Sequence, residues 1–424
     1  MFIIAQLFVT CAHTVIRADG ALLEGTKGGL MKLLHFTLFL ISGLLCEALT
    51  VATAQNSPSQ DRHRVPTGSR LTSEPAVPAI LAAFDKYEVV GIPEGHGMKD
   101  MDDFILSLIR DPAFSGKVND IAVECGNSLY QPILDRYIAG EDVPFTEVRK
   151  VWRNTTQPMC GMSGFFEQLF PLVRAINQKL PPGKRLRMLA GDPPIDWDQF
   201  KSSQDTAKFS DRDASIASVM EKQVLSKHRK ALMLFGNFHL MHGAGVGAGN
   251  AVTIYEKDYP NRTFIISDLG NFDTGLPTLS SSSFASWPVP SLARAKGTWL
   301  GALGLGHFYP PTVWTDNDCK VHDELPKNEQ KPMADLVDAF LYIGPQDLRL
   351  VEPMPADIAL DVDYMTELLR RETLAGMPGA KTLKEFDQQI VSGAESPVLV
   401  VPKQPDFKPY FPMIKQNCLD RKKQ

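Results

Sequence analysis

The sequence predicts an α/β fold: a mostly parallel central sheet flanked by helices, with an inserted or C-terminal irregular lobe. Three observations carry that expectation. Short apolar runs of strand length alternate with longer stretches of helical periodicity. Each of the first four runs meets a glycine or proline within a few residues of its end, which stops a strand. Each also runs out into an acid or an imidazole: Glu94 and His96, Glu124, Asp192, and His239. In an open parallel sheet, the carboxyl ends of the strands form the rim where ligands bind, because helices cover both faces.

The elements follow in order. From Met31 the chain reads Lys32, the apolar run Phe36 to Leu45, and then Ala52-Thr53-Ala54. These are the parts of a secretory signal peptide, with cleavage expected after Ala54 and a secreted or periplasmic destination. Residues 1–54 are therefore leader, and residues 55–74, rich in Ser, Pro and polar side chains, are a disordered linker. The folded domain is expected over 75–345, and 346–424 as a C-terminal helix and irregular tail. Tyr87 to Ile92 is the first strand. Met101, Ile105 and Leu108 mark a helix, with Asp100, Asp102 and Asp103 near its positive start and Pro112 after its end. Ile121 to Val123 is the second strand. Leu129 to Ile138, Phe145 to Trp152 and Ser163 to Leu180 read as helices.

Leu186 to Leu189 is the third strand and Ala231 to Phe235 the fourth, separated by a helix through Ile216, Val219, Met220 and Val224. Phe264 to Ile266 and Ala339 to Ile343 are two further strands. Between them, residues 271–331 are rich in Ser, Pro and Gly and are expected to form a lid or extra lobe. Tyr364 to Thr373 is the last helix.

Composition narrows the function classes. Of 424 residues, 44% are apolar and 22% charged, as in soluble globular proteins. The net charge of −5, with both signs mixed along the chain, provides no footprint for nucleic acid or an anionic membrane. The expected partner is a small-molecule substrate, with no stable membrane span in the mature chain. Four cysteines follow the leader: Cys125, Cys160, Cys319 and Cys418. They permit three pairings, among them Cys125 with Cys160 and Cys319 with Cys418, and free buried thiols are the default expectation. Gly161-Met162-Ser163-Gly164 lacks the spacing of a nucleophile elbow, and the glycine run 243–249 lacks the ending of a phosphate loop.

A resemblance adds to this reading. Glu94-Gly-His-Gly97, Glu124 after a strand, Trp152-Arg153-Asn154-Thr155-Thr156, Leu172 to Asn177 before Gly191-Asp192, Arg212 to Ala217, and Gly236-Asn237-Phe238-His239-Leu240 occur in one order over about residues 76–345. That order resembles the erythromycin-esterase-like proteins, in a superfamily with the ChaN haem-binding, TraB and Tiki proteins. The resemblance implies an α/β fold whose pocket is lined by the Glu-His motif, the second-strand Glu and the late His, with a His activating water. Tiki-like members use a divalent metal in the corresponding place. The single residue between Glu94 and His96 is the ChaN-like spacing, where the esterases usually have two.

The chemistry expected is that of an esterase-like hydrolase. His96 would act as base, Glu94 or Glu124 would orient it, and His239, Arg212 and Arg153 would draw the developing oxyanion. Arg153, Asp192, Arg212 and His242 are the expected substrate-binding residues. The same side chains, His96, Glu124 and His239, form a two-His, one-carboxylate set that suits zinc, manganese or iron. The alternative is a non-catalytic haem- or iron-binding protein.

Overall fold

The computed structural model describes residues 71–422 apart from internal stretches, the longest being 270–283, 323–330, 375–381 and 389–407. The expected leader and most of the expected linker lie outside the described residues, as do positions 245–248 of the glycine run.

Ten strands are described: β1 (Ser73–Pro75), β2 (Val89–Pro93), β3 (Asp120–Asn127), β4 (Arg187–Asp192), β5 (Ala231–Phe235), β6 (Thr263–Asp268), β7 (Ser291–Arg294), β8 (Trp314–Thr315), β9 (Val321–His322) and β10 (Ala339–Tyr342). Strands β8 and β9 pair with each other. The other eight form one sheet of order β1-β7-β10-β6-β2-β5-β3-β4. The six strands from β10 to β4 in that order run parallel, and β7 lies antiparallel between β1 and β10. The expected α/β class with a mostly parallel sheet is what the chain adopts.

Both faces of the sheet are covered, and the strands show it residue by residue. Val90, Ile92, Ile121, Val123, Leu232, Leu234, Phe264 and Ile266 face one core, while Val89, Ala122, Ala231, Met233, Phe235 and Ile265 face the other. Successive side chains on a strand point to opposite faces, so an unbroken apolar run fills two cores at once. The first core is closed by α1 (Ala76–Ala83), α2 (Lys99–Arg110), α3 (Phe114–Lys117), α4 (Gln131–Ala139), α5 (Phe145–Arg153), α6 (Pro158–Gly161) and α7 (Gly164–Lys179). Within it, Trp152 stacks edge-on against Phe170 at 5.1 Å between ring centres. The second core receives α8 (Arg212–Gln223), α9 (Asn237–Leu240) and α10 (Ala251–Tyr255), together with Leu300, Leu303 and Met333.

Helix ends follow their local chemistry. Ser163 accepts from the Phe165 amide to start α7, and Gly140 at φ 105° closes α4. Several elements depart from the sequence expectation. The last residues of the expected linker enter β1. Helix α1 has no polar stripe because Ala76, Ala79, Ile80, Leu81 and Ala83 are all buried, so its periodicity was invisible. Within the stretch expected as a lid or lobe, Ser291–Arg294 instead supplies a strand of the central sheet. The C-terminal tail, expected irregular after its helix, contains α11 (Ala356–Leu360), α12 (Val362–Leu374) and α13 (Phe411–Arg421), of which α12 is the expected helix. Of the pairings open to the cysteines, the chain forms Cys125–Cys160 and Cys319–Cys418, the second fastening α13 to the loop before β9. Among the described residues no helix is long and apolar enough to cross a membrane.

Candidate active site

Strand β2 ends beside β5, with Pro93 paired to Phe235 and the Glu94 amide donating to the Phe235 carbonyl at 3.0 Å. The chain then turns sharply, with His96 at φ 44° and Gly97 at φ 92°. Left-handed backbone costs a non-glycine residue on the order of 1 kcal/mol, so the surroundings hold His96 in place. On the far side of β5, the β3–β4 ladder loses register between Val123 and Asn127, and Glu124 sits in that irregularity.

The four residues expected to form a polar core meet here. His96 Nδ1 is 3.3 Å from Glu94 Oε1, and His96 Nε2 is 3.7 Å from Glu124 Oε2. The first pair is close but not aligned as a hydrogen bond, for His96 Nδ1 and Glu94 Oε2 are both buried without a hydrogen-bond partner. The other oxygen of Glu124 lies 3.5 Å from His239 Nε2. Glu124 thus stands between the two imidazoles. The Gly236 amide also donates to it, and a Cβ at Gly236 would lie 3.2 Å from both Glu124 Oε2 and His96 Nε2. Only a residue without a side chain allows that approach comfortably.

Arg212, at the start of α8, organises the carboxylates. Its Nη2 donates to Glu124 Oε1 at 2.8 Å, its Nε to Asp192 Oδ1 at 2.5 Å, and its Nη1 lies 3.2 Å from His239 Nε2. Asp192 also accepts from the Thr156 amide at 2.7 Å. Arg212 and Asp192 are buried and their polar atoms are engaged, so they hold the network together and neither is placed to meet a substrate. The His96 side chain, 27% exposed against 2% for Glu124 and 11% for His239, is the member that reaches solvent.

Charges settle accordingly. Burial opposes the His96 imidazolium, but the Glu94 and Glu124 carboxylates outweigh it and raise the pKa to about 9. Burial likewise opposes the His239 cation, and Glu124 with Asp213 raises it to about 9. Glu124 is penalised by burial yet held well below the ordinary carboxylate range by Arg212 and the two imidazoles. Burial raises Glu94. Two further acids belong to this environment. Burial and the charges of Glu352 and Glu94 push Asp102 up to about 9. Burial brings Glu352 to about 7 against a 3.0 Å hydrogen bond from Ser163 Oγ.

Two expected residues lie elsewhere. The Arg153 guanidinium is committed to Glu167 at 3.3 Å and Asp361 at 3.6 Å, and lies over the Tyr364 ring, so the C-terminal segment and α7 use the cation expected for substrate. His242 is held between Glu256 and Asp338, each at 3.0 Å, in the wall of a separate cavity of about 360 Å³ that Tyr87 and Thr263 also line. Sequence reasoning weighed Asp213 only as the helix-start partner of Arg212 and gave it no place in the site, yet its Oδ1 is 2.7 Å from His239 Nδ1 and also accepts from the Ala251 amide. Its only signal was its place beside Arg212 at a helix start.

The metal expected on His96, Glu124 and His239 does not fit this arrangement. Arg212 and the Gly236 amide each already engage one oxygen of Glu124, and the guanidinium lies against His239 where a cation would sit. The described residues that bring three potential ligand atoms within 4.8 Å of one another are Glu94, His96 and Cys125 instead.

No family model matches the chain, and no curated protein matches it. Among solved structures it is similar to a Bacillus cereus protein, with 10% identity over 62% of this chain and 90% of that one and a TM-score of 0.39. A succinoglycan biosynthesis protein matches with 9% identity over 63% and 90% and a TM-score of 0.38. A mutant of the erythromycin esterase EreC in its open conformation matches with 11% identity over 62% and 92% and a TM-score of 0.38.

Proposed function

We propose that the chain is a hydrolase in which His96 activates water against an ester or related bond of a small molecule. The observation that carries this reading is one solvent-reaching imidazole mounted on an otherwise buried set of Glu94, Glu124, Arg212 and His239. Surrounding carboxylates prepare a ring to accept a proton, because they stabilise the imidazolium that results. A water on the exposed side of His96 transfers its proton to the ring while its oxygen bonds to the carbonyl carbon. Collapse of the tetrahedral intermediate breaks the ester bond, and the leaving alkoxide recovers the proton from the imidazolium. His239, fixed by Asp213 and with its pKa raised to about 9, is the cation we assign to draw the developing oxyanion.

Residues 75–345 carry this centre, and the leader motif supports export. The test is a panel of aryl esters and lactones with wild type, His96→Ala and Glu124→Ala. Loss of a general base lowers the rate by ~10²–10⁴-fold. His96→Ala should show that loss with nearly unchanged thermal unfolding. Hydrolysis that survives His96→Ala would remove the proposal.

A further inference from the structure

The catalytic reading leaves one part of the rim unused. Cys125, one residue beyond Glu124 on β3, points to the opposite face of the sheet, where its Sγ lies 3.8 Å from Glu94 Oε1. Glu94, His96 and Cys125 each offer one ligand atom, all within 4.8 Å of one another. Two polar atoms there, Glu94 Oε2 and His96 Nδ1, are buried without a hydrogen-bond partner, and the Glu94 side chain is only 3% exposed. A buried polar atom with no partner is left without the hydrogen bond it had in water, so the corner is prepared for something that satisfies it. Cys160 of α6, bonded to Cys125, holds a second sulfur directly beside that of Cys125.

We propose that reduction of the Cys125–Cys160 disulfide converts this corner into a zinc site held by Glu94, His96, Cys125 and Cys160. The donor set of two thiolates, an imidazole and a carboxylate is the kind that tetrahedral zinc takes. Zinc bonds of roughly 2.0–2.3 Å place neighbouring ligand atoms about 3.3–3.8 Å apart. His96 Nδ1 to Glu94 Oε1, at 3.3 Å, and Cys125 Sγ to Glu94 Oε1, at 3.8 Å, already have those separations. Arg212 and Glu124 do not compete, because they occupy the other face of the strand.

The step balances with a dithiol as reductant. Its two thiols become a disulfide, and two electrons and two protons pass to the sulfurs of Cys125 and Cys160. Zinc then displaces both thiol protons to solvent. A disulfide oxidant such as oxidised glutathione reverses the sequence and expels the metal. Where His96 also serves as the hydrolytic base, zinc takes that base out of use. That consequence rests on the hydrolytic reading, whereas metal binding itself does not.

The experiment uses the full chain with Cys11→Ala, Cys46→Ala, Cys319→Ala and Cys418→Ala, which leaves Cys125 and Cys160 as the one thiol pair. Cobalt is titrated as the spectroscopic stand-in for zinc, with and without a phosphine reductant, while far-UV circular dichroism follows folding. The reduced protein should bind one equivalent with a thiolate-to-cobalt charge-transfer band, lose it to one equivalent of zinc, and release that zinc to a chromogenic chelator when oxidised glutathione is added. The oxidised protein should show no band. Cys125→Ser should abolish the band, and Glu94→Gln and His96→Ala should each weaken affinity at least ~10-fold. The proposal is overturned if the oxidised protein binds equally well, if the folded reduced protein does not bind, or if Glu94→Gln and His96→Ala both keep full affinity. It is also overturned if reduction unfolds the chain and zinc does not restore it. Ester hydrolysis by the oxidised protein is scored separately, so either reading can fail alone.

Discussion

Replacing Glu124 with Gln keeps the shape of the side chain and removes the charge on which the site converges. At 3.5 Å from His239 Nε2, the carboxylate attracts an imidazolium by about 5 kcal/mol at an effective dielectric constant of ~20, which bounds the effect at ~3.5 pKa units. Asp213 remains at 2.7 Å from His239 Nδ1, so the pKa should fall from about 9 by roughly 1–2 units. His96 should fall in the same direction, since Glu124 is one of the two carboxylates that raise it.

Stability follows with a definite sign. A His with a folded pKa of about 9 and an unfolded value of 6.5 contributes stability that is complete below pH 6.5 and is lost as pH rises through 9. For His239 that contribution is at most ~3 kcal/mol. Glu124→Gln should flatten the alkaline loss. It should also lower stability at neutral pH by ~1–3 kcal/mol, because Arg212 keeps Asp192 and an amide oxygen but loses a charged partner. Imidazole C–H NMR titration reads the pKa values, and urea unfolding at several pH values reads the stability. A His239 titration that moves less than about half a unit would refute the account of Glu124 as the shared anion.

The hydrolysis rate of wild type should rise about tenfold per pH unit and level near pH 9, because His96 must be deprotonated to act as base and its pKa is raised to about 9. A rate that is flat from pH 6 to 9 removes His96 from that role. Gly236→Ala places a methyl group 3.2 Å from Glu124 Oε2 and His96 Nε2, and should reduce kcat more than it reduces the unfolding midpoint; equal losses would mark the contact as structural only. His242→Ala should leave kcat unchanged while removing the stability that Glu256 and Asp338 confer on the imidazolium. A large fall in kcat with intact folding would bring His242 back into the site.

Much of the site was legible because strand ends are local events. An apolar run interrupted by glycine or proline exposes the residues just past the break, and that placed Glu94, His96, Asp192 and His239 on a rim before any packing was known. Asp213 and Asp102 were not legible as site residues, since carboxylates in the first turn of a helix are ordinary there. Arg153 and His242 carried the right chemistry in the right order, yet each had nearer carboxylates that no local pattern reveals.

The sequence alone determined the order of β2 to β6 and β10 and of the longer helices between them, because side-chain periodicity and turn residues act over a few positions. Only the tertiary structure decided that β5 inserts between β2 and β3, and that insertion brings His239 to the Glu124 that His96 also faces. It also decided that Arg212 holds both Glu124 and Asp192, that β7 joins the sheet antiparallel, and which cysteines pair. These outcomes depend on contacts between segments tens of residues apart, fixed by how two apolar faces are jointly covered rather than by any stretch read on its own.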